Sequence, residues 1–365
     1  MTSWDLKPVE QAFADAALDP TSWAKALDIV SDLTDSFGAI LLPHRGSLIP
    51  TVPYTEGLAG SVDMYFRDGW YQRDERYLGT NIMLERGVTD DLDTFDYDRI
   101  KRHPYYQDFL APHALRWYAG VRVLCGDDLW CLSIQRTIEQ GPFSVEEKRQ
   151  LAQLSDRLSV SAALARALGA AAADGAMNAF DLSSTAVVLI NRLGQAFKVN
   201  GSAERLLTGD VRIVRGKLVA RDMAATTRLN RALHELLWQR TDGGLSPPVI
   251  LPRTGKRPLF AYPAKLSSMA ANALADCQAI VILIDPNEIS RPPETVLRAA
   301  YGLSEAEARL AAQLGSGDAL EAITERLGIA KETGRSQLKS IFTKLGVHRQ
   351  AELVTVLAPL LGRIK

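Results

Sequence analysis

Near the carboxyl end, Lys331, Arg335 and Lys339 recur at every fourth position, the spacing that stacks side chains on one face of a helix. Thr333, Ser336, Gln337 and Ser340 stand among them as short hydrogen-bonding groups. Cations beside small polar side chains suit a helix that pairs with phosphates and reaches base edges in duplex DNA. From Lys331 to Arg349 there are five basic residues (Lys331, Arg335, Lys339, Lys344, Arg349) against one acid, Glu332; the local net is +4 in a chain whose total is −1. An ordinary solvated helix face carries the same kind of stripe, so the surrounding elements have to decide.

They favour the nucleic-acid reading. Leu338, Ile341, Phe342 and Leu345 fall at i, i+3, i+4 and i+7 and give the same segment a core face. The pattern predicts a helix over 331–345, stopped at Gly346. A shorter amphipathic helix is predicted over 319–326, with Leu327-Gly328-Ile329 as a tight turn between the two. Helices joined in this way form a helix–turn–helix, whose second helix enters the major groove. Two residues run against helix chemistry. Ala330 stands where an N-capping side chain would contribute about 1 kcal/mol. Gly334 costs a helix interior about 1 kcal/mol relative to alanine. A close approach to DNA or to a packing helix accounts for that glycine, and so does drift at a tolerant position.

The segments Leu303–Leu310 (LSEAEARL), Ile323–Ile329 (ITERLGI), Glu332–Lys339 (ETGRSQLK) and Lys344–Gly346 (KLG) resemble the LuxR/FixJ-type, GerE-like helix–turn–helix output domain over about 296–361. The resemblance implies four helices, at 305–314, 319–326, 331–345 and 350–360. It implies that Arg335, Ser336 and Lys339 face bases and that Thr333, Lys344 and Arg349 hold phosphates. Lys331 joins this DNA-binding set from the basic stripe. The family usually has Ser or Thr where this chain has Ala330, and valine where it has Gly334.

Upstream, residues 13–37 are predicted helical, 38–42 a strand, and 63–71 and 99–110 aromatic-rich helices. Runs at 116–124 and 129–136 flank Gly126-Asp127-Asp128 as a hairpin. Ser144 and Glu147 have capping-box spacing for a long alanine-rich helix from Val145 to about Ala172. Its leucines suit its own sheet or a dimer seam; its second half, small on every side, suits a partner helix. This arrangement looks like a GAF or PAS-type sensor. The cluster Tyr65, Phe66, Trp70, Tyr71, Asp74 and Tyr77 resembles the pocket of acyl-homoserine-lactone receptors, although Glu75 follows Asp74 where that family has proline. The candidate ligand contacts are Tyr65, Trp70, Tyr71, Asp74 and Trp117, with packed aromatic core as the competing explanation. Farther on, strands are predicted at 185–190, 195–199, 249–252, 259–266 and 279–285, with a short helix after Asn200 and another over 226–239. This order resembles a PAS fold, in which Asn200 would cap the helix after the second strand. Pro292-Pro293 marks a hinge.

Apolar content of 47% and charge of 23% fit a soluble chain of two or three domains. No apolar run reaches membrane-spanning length, and the first residues lack a basic, apolar leader, so cytoplasmic residence without membrane contact is expected. Three cysteines lack disulfide or zinc spacing, and five histidines are scattered. No phosphate loop, dinucleotide fingerprint, nucleophile elbow or phospho-receiver pattern occurs. No enzyme activity, catalytic residue, metal or cofactor is expected. The expected fold class is α+β multidomain: GAF/PAS-like antiparallel-sheet sensor domains over 1–172 and 173–290, then an all-α four-helix LuxR-type domain over 291–365. The expected function is a homodimeric regulator of transcription that binds double-stranded DNA and responds to a small-molecule effector or a protein partner. The competing function is a protein-interaction adaptor whose helix–turn–helix no longer binds DNA.

Overall fold

The computed structural model describes residues 4–44, 52–238, 246–265, 272–287 and 292–358. Its first sheet contains β1 (Gly38–Pro43), β2 (Val88–Asp90), β3 (Leu115–Cys125) and β4 (Asp128–Thr137), in the order β1-β4-β3-β2 with every pair antiparallel. Strand alternation sorts the side chains. Ala39, Leu41, Ala119, Val121, Val123, Trp130, Leu132 and Ile134 share one core with α1 (Lys7–Leu18), α2 (Trp23–Leu33) and α6 (Val145–Leu182). Ile40, Leu42, Tyr118, Cys131, Ser133 and Gln135 look the other way. They face an aromatic layer from α3 (Ala59–Arg67) and the π-helical segment Tyr105–Leu110. Two short helices, α4 (Thr80–Arg86) and α5 (Tyr97–Arg102), complete this side.

Several predicted helices are interrupted, each for a local reason. The run 13–37 breaks at Asp19-Pro20: the Asp19 carboxylate accepts the Thr21 N–H, and proline lacks the N–H that would continue α1. Residues 63–71 break at Gly69, whose left-handed φ of +72° turns the chain into a 3₁₀ turn at Trp70–Gln72. The stretch 99–110 divides at His103-Pro104 into α5 and the π-helical segment.

The capping box forms as predicted between Ser144 and Glu147, but α6 runs past Ala172 to Leu182 and serves two sheets. Leu151, Leu154, Leu158, Ala162 and Ala165 pack on the first. Ala173 and Met177 pack on the second. The stripe expected to seek a partner helix is thus partly buried within its own chain, while Val160 stays 71% exposed.

The second sheet has the order β6-β5-β11-β10-β9, from β5 (Ala186–Asn191), β6 (Ala196–Val199), β9 (Val249–Arg253), β10 (Lys256–Ala264) and β11 (Cys277–Ile284). A hairpin, β7 (Val211–Val214) with β8 (Lys217–Ala220), stands beside it. The face carrying Val188, Ile190, Val281 and Leu283 is covered by α7 (Gly201–Leu206) and α8 (Met223–Trp238). Asn200 caps α7 through the Ala203 N–H, as its position suggested, and also accepts the Val187 N–H and donates to Thr185 O. Those bonds tie α7 to β5. The predicted element ends at Gln239 and Leu266 lie outside the described residues.

Five helices follow: α9 (Glu294–Tyr301), α10 (Glu305–Gly315), α11 (Leu320–Leu327), α12 (Lys331–Leu345) and α13 (Gln350–Leu357), around Leu297, Leu310, Leu314, Ile323, Ile341 and Leu353. The first of these, directly after Pro292-Pro293, had no sequence prediction; the predicted end at Leu360 lies outside the described residues. Among the described residues, no helix is long and apolar enough to cross a membrane.

The segment before β11 joins the two sheets through α6. Leu274 enters the first core, Asn272 donates to Ala165 O at 2.8 Å, and Arg166 reaches both Cys125 O at 2.8 Å and Asp276 at 3.3 Å. A Cβ on Gly169 would lie 2.6 Å from Ala275 Cβ, whereas one on Gly175 would meet nothing within 4 Å. Alanine ordinarily stabilises a helix interior over glycine by about 1 kcal/mol. Gly175→Ala is therefore expected to raise the melting temperature and Gly169→Ala to lower it. Equal upward shifts in paired thermal melts would mean that the α6–Ala275 approach is not tight.

Candidate functional site

Two places concentrate chemistry. The first is α11–α12. Gly328, at φ +66°, ends α11 in the left-handed conformation and lets Ile329-Ala330 turn the chain into α12. Ala330 has extended backbone suited to an N-cap but no side chain to fill the role. Ile341 is buried, and Leu338, Phe342 and Leu345 pack beside it, so the predicted core stripe meets the core. Lys331, Thr333, Arg335, Ser336, Lys339 and Arg349 are exposed. Arg335 pairs with Glu332 at 3.0 Å, both side chains open to water, so the pair contributes little and is easily exchanged for a phosphate. Lys331, Lys339 and Arg349 make no ion pair among the described residues.

Lys344 is placed differently. Its ammonium lies 2.6 Å from Glu307 and donates to Gly302 O at 3.2 Å, so this cation is engaged in holding α12 to the start of α10. Glu307 also accepts from Ser340 Oγ at 2.6 Å and forms the α10 capping box with Ser304. Lys344 first, then Ser340 and the Ser304 N–H, hold its carboxyl at about 2, below the usual 4.5. A carboxylate with a depressed folded-state pKa contributes stability that is present above its unfolded value and lost as pH falls through the folded one. The melting temperature of Glu307→Gln is thus expected to lie below the parent's at neutral pH, with the gap closing between about pH 4.5 and pH 2. A gap that stays constant over that window in pH-dependent melts would remove Glu307 as the anchor.

Gly334 is where α11 and α12 cross. A Cβ there would overlap Thr324 Cγ2, so the close approach of the packing helix accounts for the glycine. Gly334→Ala should destabilise the chain despite alanine's better helix propensity. Adding Thr324→Ser, which removes that methyl, should recover most of the loss. Failure of the second change to rescue in denaturant titrations would point to another cause.

The second place is a cavity of about 70 Å³ between the first sheet and its aromatic layer. Gly120 keeps its floor open: a Cβ there would come 2.9 Å from both Cys131 Sγ and a Tyr118 ring carbon. Arg76, 6% exposed, forms one end of the cavity. Its guanidinium donates to Asp91 at 3.0 Å, Gln135 at 2.9 Å and Arg116 O at 3.1 Å, and lies 4.2 Å from the centre of the Tyr118 ring. Asp91 also accepts from Tyr106 Oη at 2.6 Å and Tyr118 N at 2.8 Å. Asp74 accepts from Tyr65 Oη at 2.7 Å and Arg76 N at 2.9 Å. Burial pushes both carboxyls above the usual range, against the pull of Arg76. Burial likewise raises the Tyr65, Tyr105 and Tyr118 hydroxyls, which stay protonated.

Of the five candidate ligand contacts, Tyr65 and Asp74 line this cavity. Trp70 stacks behind Phe109, with ring centroids 5.5 Å apart, and carries Arg73 on a ring face. Tyr71 lies outside Tyr65 and Phe66. Trp117 packs edge-on to Tyr97. The turn at Gly69 moves Trp70 and Tyr71 to a second layer, and Trp117 joins the same aromatic cluster without reaching the cavity lining. Sequence reasoning missed Arg76, Asp91, Tyr105, Tyr118 and Gln135. Ser133 and Gln135, alternating within an otherwise apolar strand, were a readable sign of a polar inner face. Trp238, at the end of α8, packs against Phe66 and Tyr71 with ring centroids 6.1 and 6.0 Å away, so the second sheet's helix touches the cavity's outer wall.

No family model matches this chain, and no curated protein does. Among solved structures, the VqsR LBD domain from Pseudomonas aeruginosa is 17% identical, over 42% of this chain and 91% of that one, at a TM-score of 0.31. The phage VqmA–DPO complex is 16% identical, over 53% and 89%, at 0.25. The Vibrio cholerae VqmA dimer without target DNA, one of the LuxR-type receptors, is 11% identical, over 48% and 82%, at 0.20. Similarity at this level assigns neither ligand nor activity.

Proposed function

We propose that this chain is a DNA-binding regulator of transcription, with α12 as the reading helix and the cavity of the first sheet as the effector site. The observation that carries the proposal is the division of α12 into two faces. One packs on α10 and α11; the other presents Lys331, Arg335, Ser336 and Lys339 to solvent. A helix held from behind, with cations and short polar groups in front, is what major-groove docking requires. Thr333 and Arg349 extend the cationic and hydroxyl rim towards phosphates. One such module buries limited area, so a homodimer on paired half-sites is part of the proposal. The domains proposed are 1–172, 173–290 and 291–365, with α6 continuing across the first boundary and Trp238 linking the second unit to the cavity wall.

The test is duplex binding by the full chain across a salt series. Lys339→Ala should weaken binding and relax preference among sequences, as for a base-facing cation. Arg335→Ala should lose about 1–3 kcal/mol and relax preference among sequences, as for a base contact. Parent-like binding by both variants would remove α12 as the reading helix and favour the adaptor function.

A further inference from the structure

We propose that the cavity takes a small organic cation, a short alkylammonium, with Asp74 as its counter-charge and the faces of Tyr65, Tyr105, Phe109 and Tyr118 as its walls. This rests on the cavity being an effector site and adds the chemical class of the effector.

The charge pattern comes first. Two carboxylates, Asp74 and Asp91, share one buried guanidinium. Arg76 directs its Nε at Asp91 and its remaining bonds at Gln135 and Arg116 O, so Asp91 is the acid it neutralises. Asp74 receives uncharged donors, the Tyr65 and Tyr105 hydroxyls and the Arg76 backbone N–H. A carboxylate has about four acceptor sites, so further donors can be taken from the cavity side. Among the described residues, no lysine and no second arginine lines the cavity. The other titratable groups facing it are tyrosines, Cys131 and, at one edge, His44, whose Nε2 is 2.6 Å from Thr80 Oγ1. Two buried carboxylates facing one guanidinium leave a negative charge in excess, and an arriving ammonium balances it.

The walls agree. Aromatic faces attract cations, and they do so more strongly when water is excluded. Away from Asp74 the lining turns aliphatic, with Leu42, Leu58, Val62 and Leu110, which suits a short branched alkyl tail. A volume of about 70 Å³ suits a compact alkyl group better than a long acyl chain. An anion would face Asp74 with the guanidinium already taken.

Three probes of one skeleton separate the possibilities: isoamylammonium, isoamyl alcohol and isovalerate, titrated calorimetrically into the full chain at neutral pH. The ammonium is expected to bind at least tenfold more tightly than the alcohol, with no heat from the carboxylate. Asp74→Asn should bring ammonium and alcohol within about threefold of each other while the circular dichroism spectrum stays that of the parent. The three-probe comparison needs no variant, so it stands even if Asp74→Asn fails to fold. Alcohol or carboxylate binding as tightly as the ammonium overturns the cation assignment and leaves the cavity as a ligand site. Absence of binding by all three at millimolar concentration overturns both.

Discussion

The buried Arg76–Asp91 pair is the constraint around which the cavity side of the first sheet is arranged. Arg76 lies in the 3₁₀ turn Glu75–Gly79, Asp91 follows β2, and their bonds continue to Gln135 on β4 and to the backbone of β3. Four separate pieces of chain therefore meet at two side chains. An ion pair this deep stabilises little by itself, because desolvation offsets most of the attraction. Removing one partner is a different matter, since the other is left charged and unpaired. The pair thus acts as a registry device: it fixes which residues face the cavity and keeps the tyrosine rings standing on the sheet. It also commits the guanidinium's hydrogen bonds to Asp91, Gln135 and Arg116 O and leaves none for Asp74.

A cavity affects distant helices only if its walls are mechanically joined to them. Here there are two joints. α6 packs on both sheets, and Arg166, Asn272 and Gly169 bring the second unit against it at close range. On the other side, Trp238 rests on Phe66 and Tyr71, next in sequence or space to the cavity-lining Tyr65. A ligand that shifted α3 would shift the surface on which α8 rests. The two joints flank the second sheet.

Local rules made much of this legible. The hairpin of 116–124 and 129–136, the Ser144–Glu147 capping box and the two faces of α12 follow from short-range spacing, the Asn200 cap from the resemblance to a PAS fold, and all appear in the structure. The losses have a common origin in contacts between residues far apart in sequence. Trp70 and Tyr71 looked like pocket residues because they adjoin Tyr65 in the chain; one left-handed glycine between them sends them elsewhere. Arg76 and Asp91 were unreadable because a charged side chain gives no sign of burial until its partner is known. Lys344 carried the same charge as Lys339, yet Glu307, thirty-seven positions earlier, claims it. Gly334 was ambiguous for the same reason, since Thr324 sits on another helix.

The C-terminal helices show why those hidden contacts matter for function. A reading helix has to be rigid before it meets its target, or ordering it would subtract from affinity. α12 lacks an N-cap and carries a glycine in its interior, so its own sequence leaves it weak at the end that would enter a groove. The compensation comes from outside the helix. Thr324 closes on Gly334 near the first turns, and Glu307 grips Ser340 and Lys344 near the last. Both grips lie on the inward faces, which leaves Lys331, Arg335 and Lys339 to the solvent side with only the exposed Glu332 pair to give up. The weakness is local and the rigidity is tertiary, so anything that moves α10 or α11 reaches the basic face without touching it.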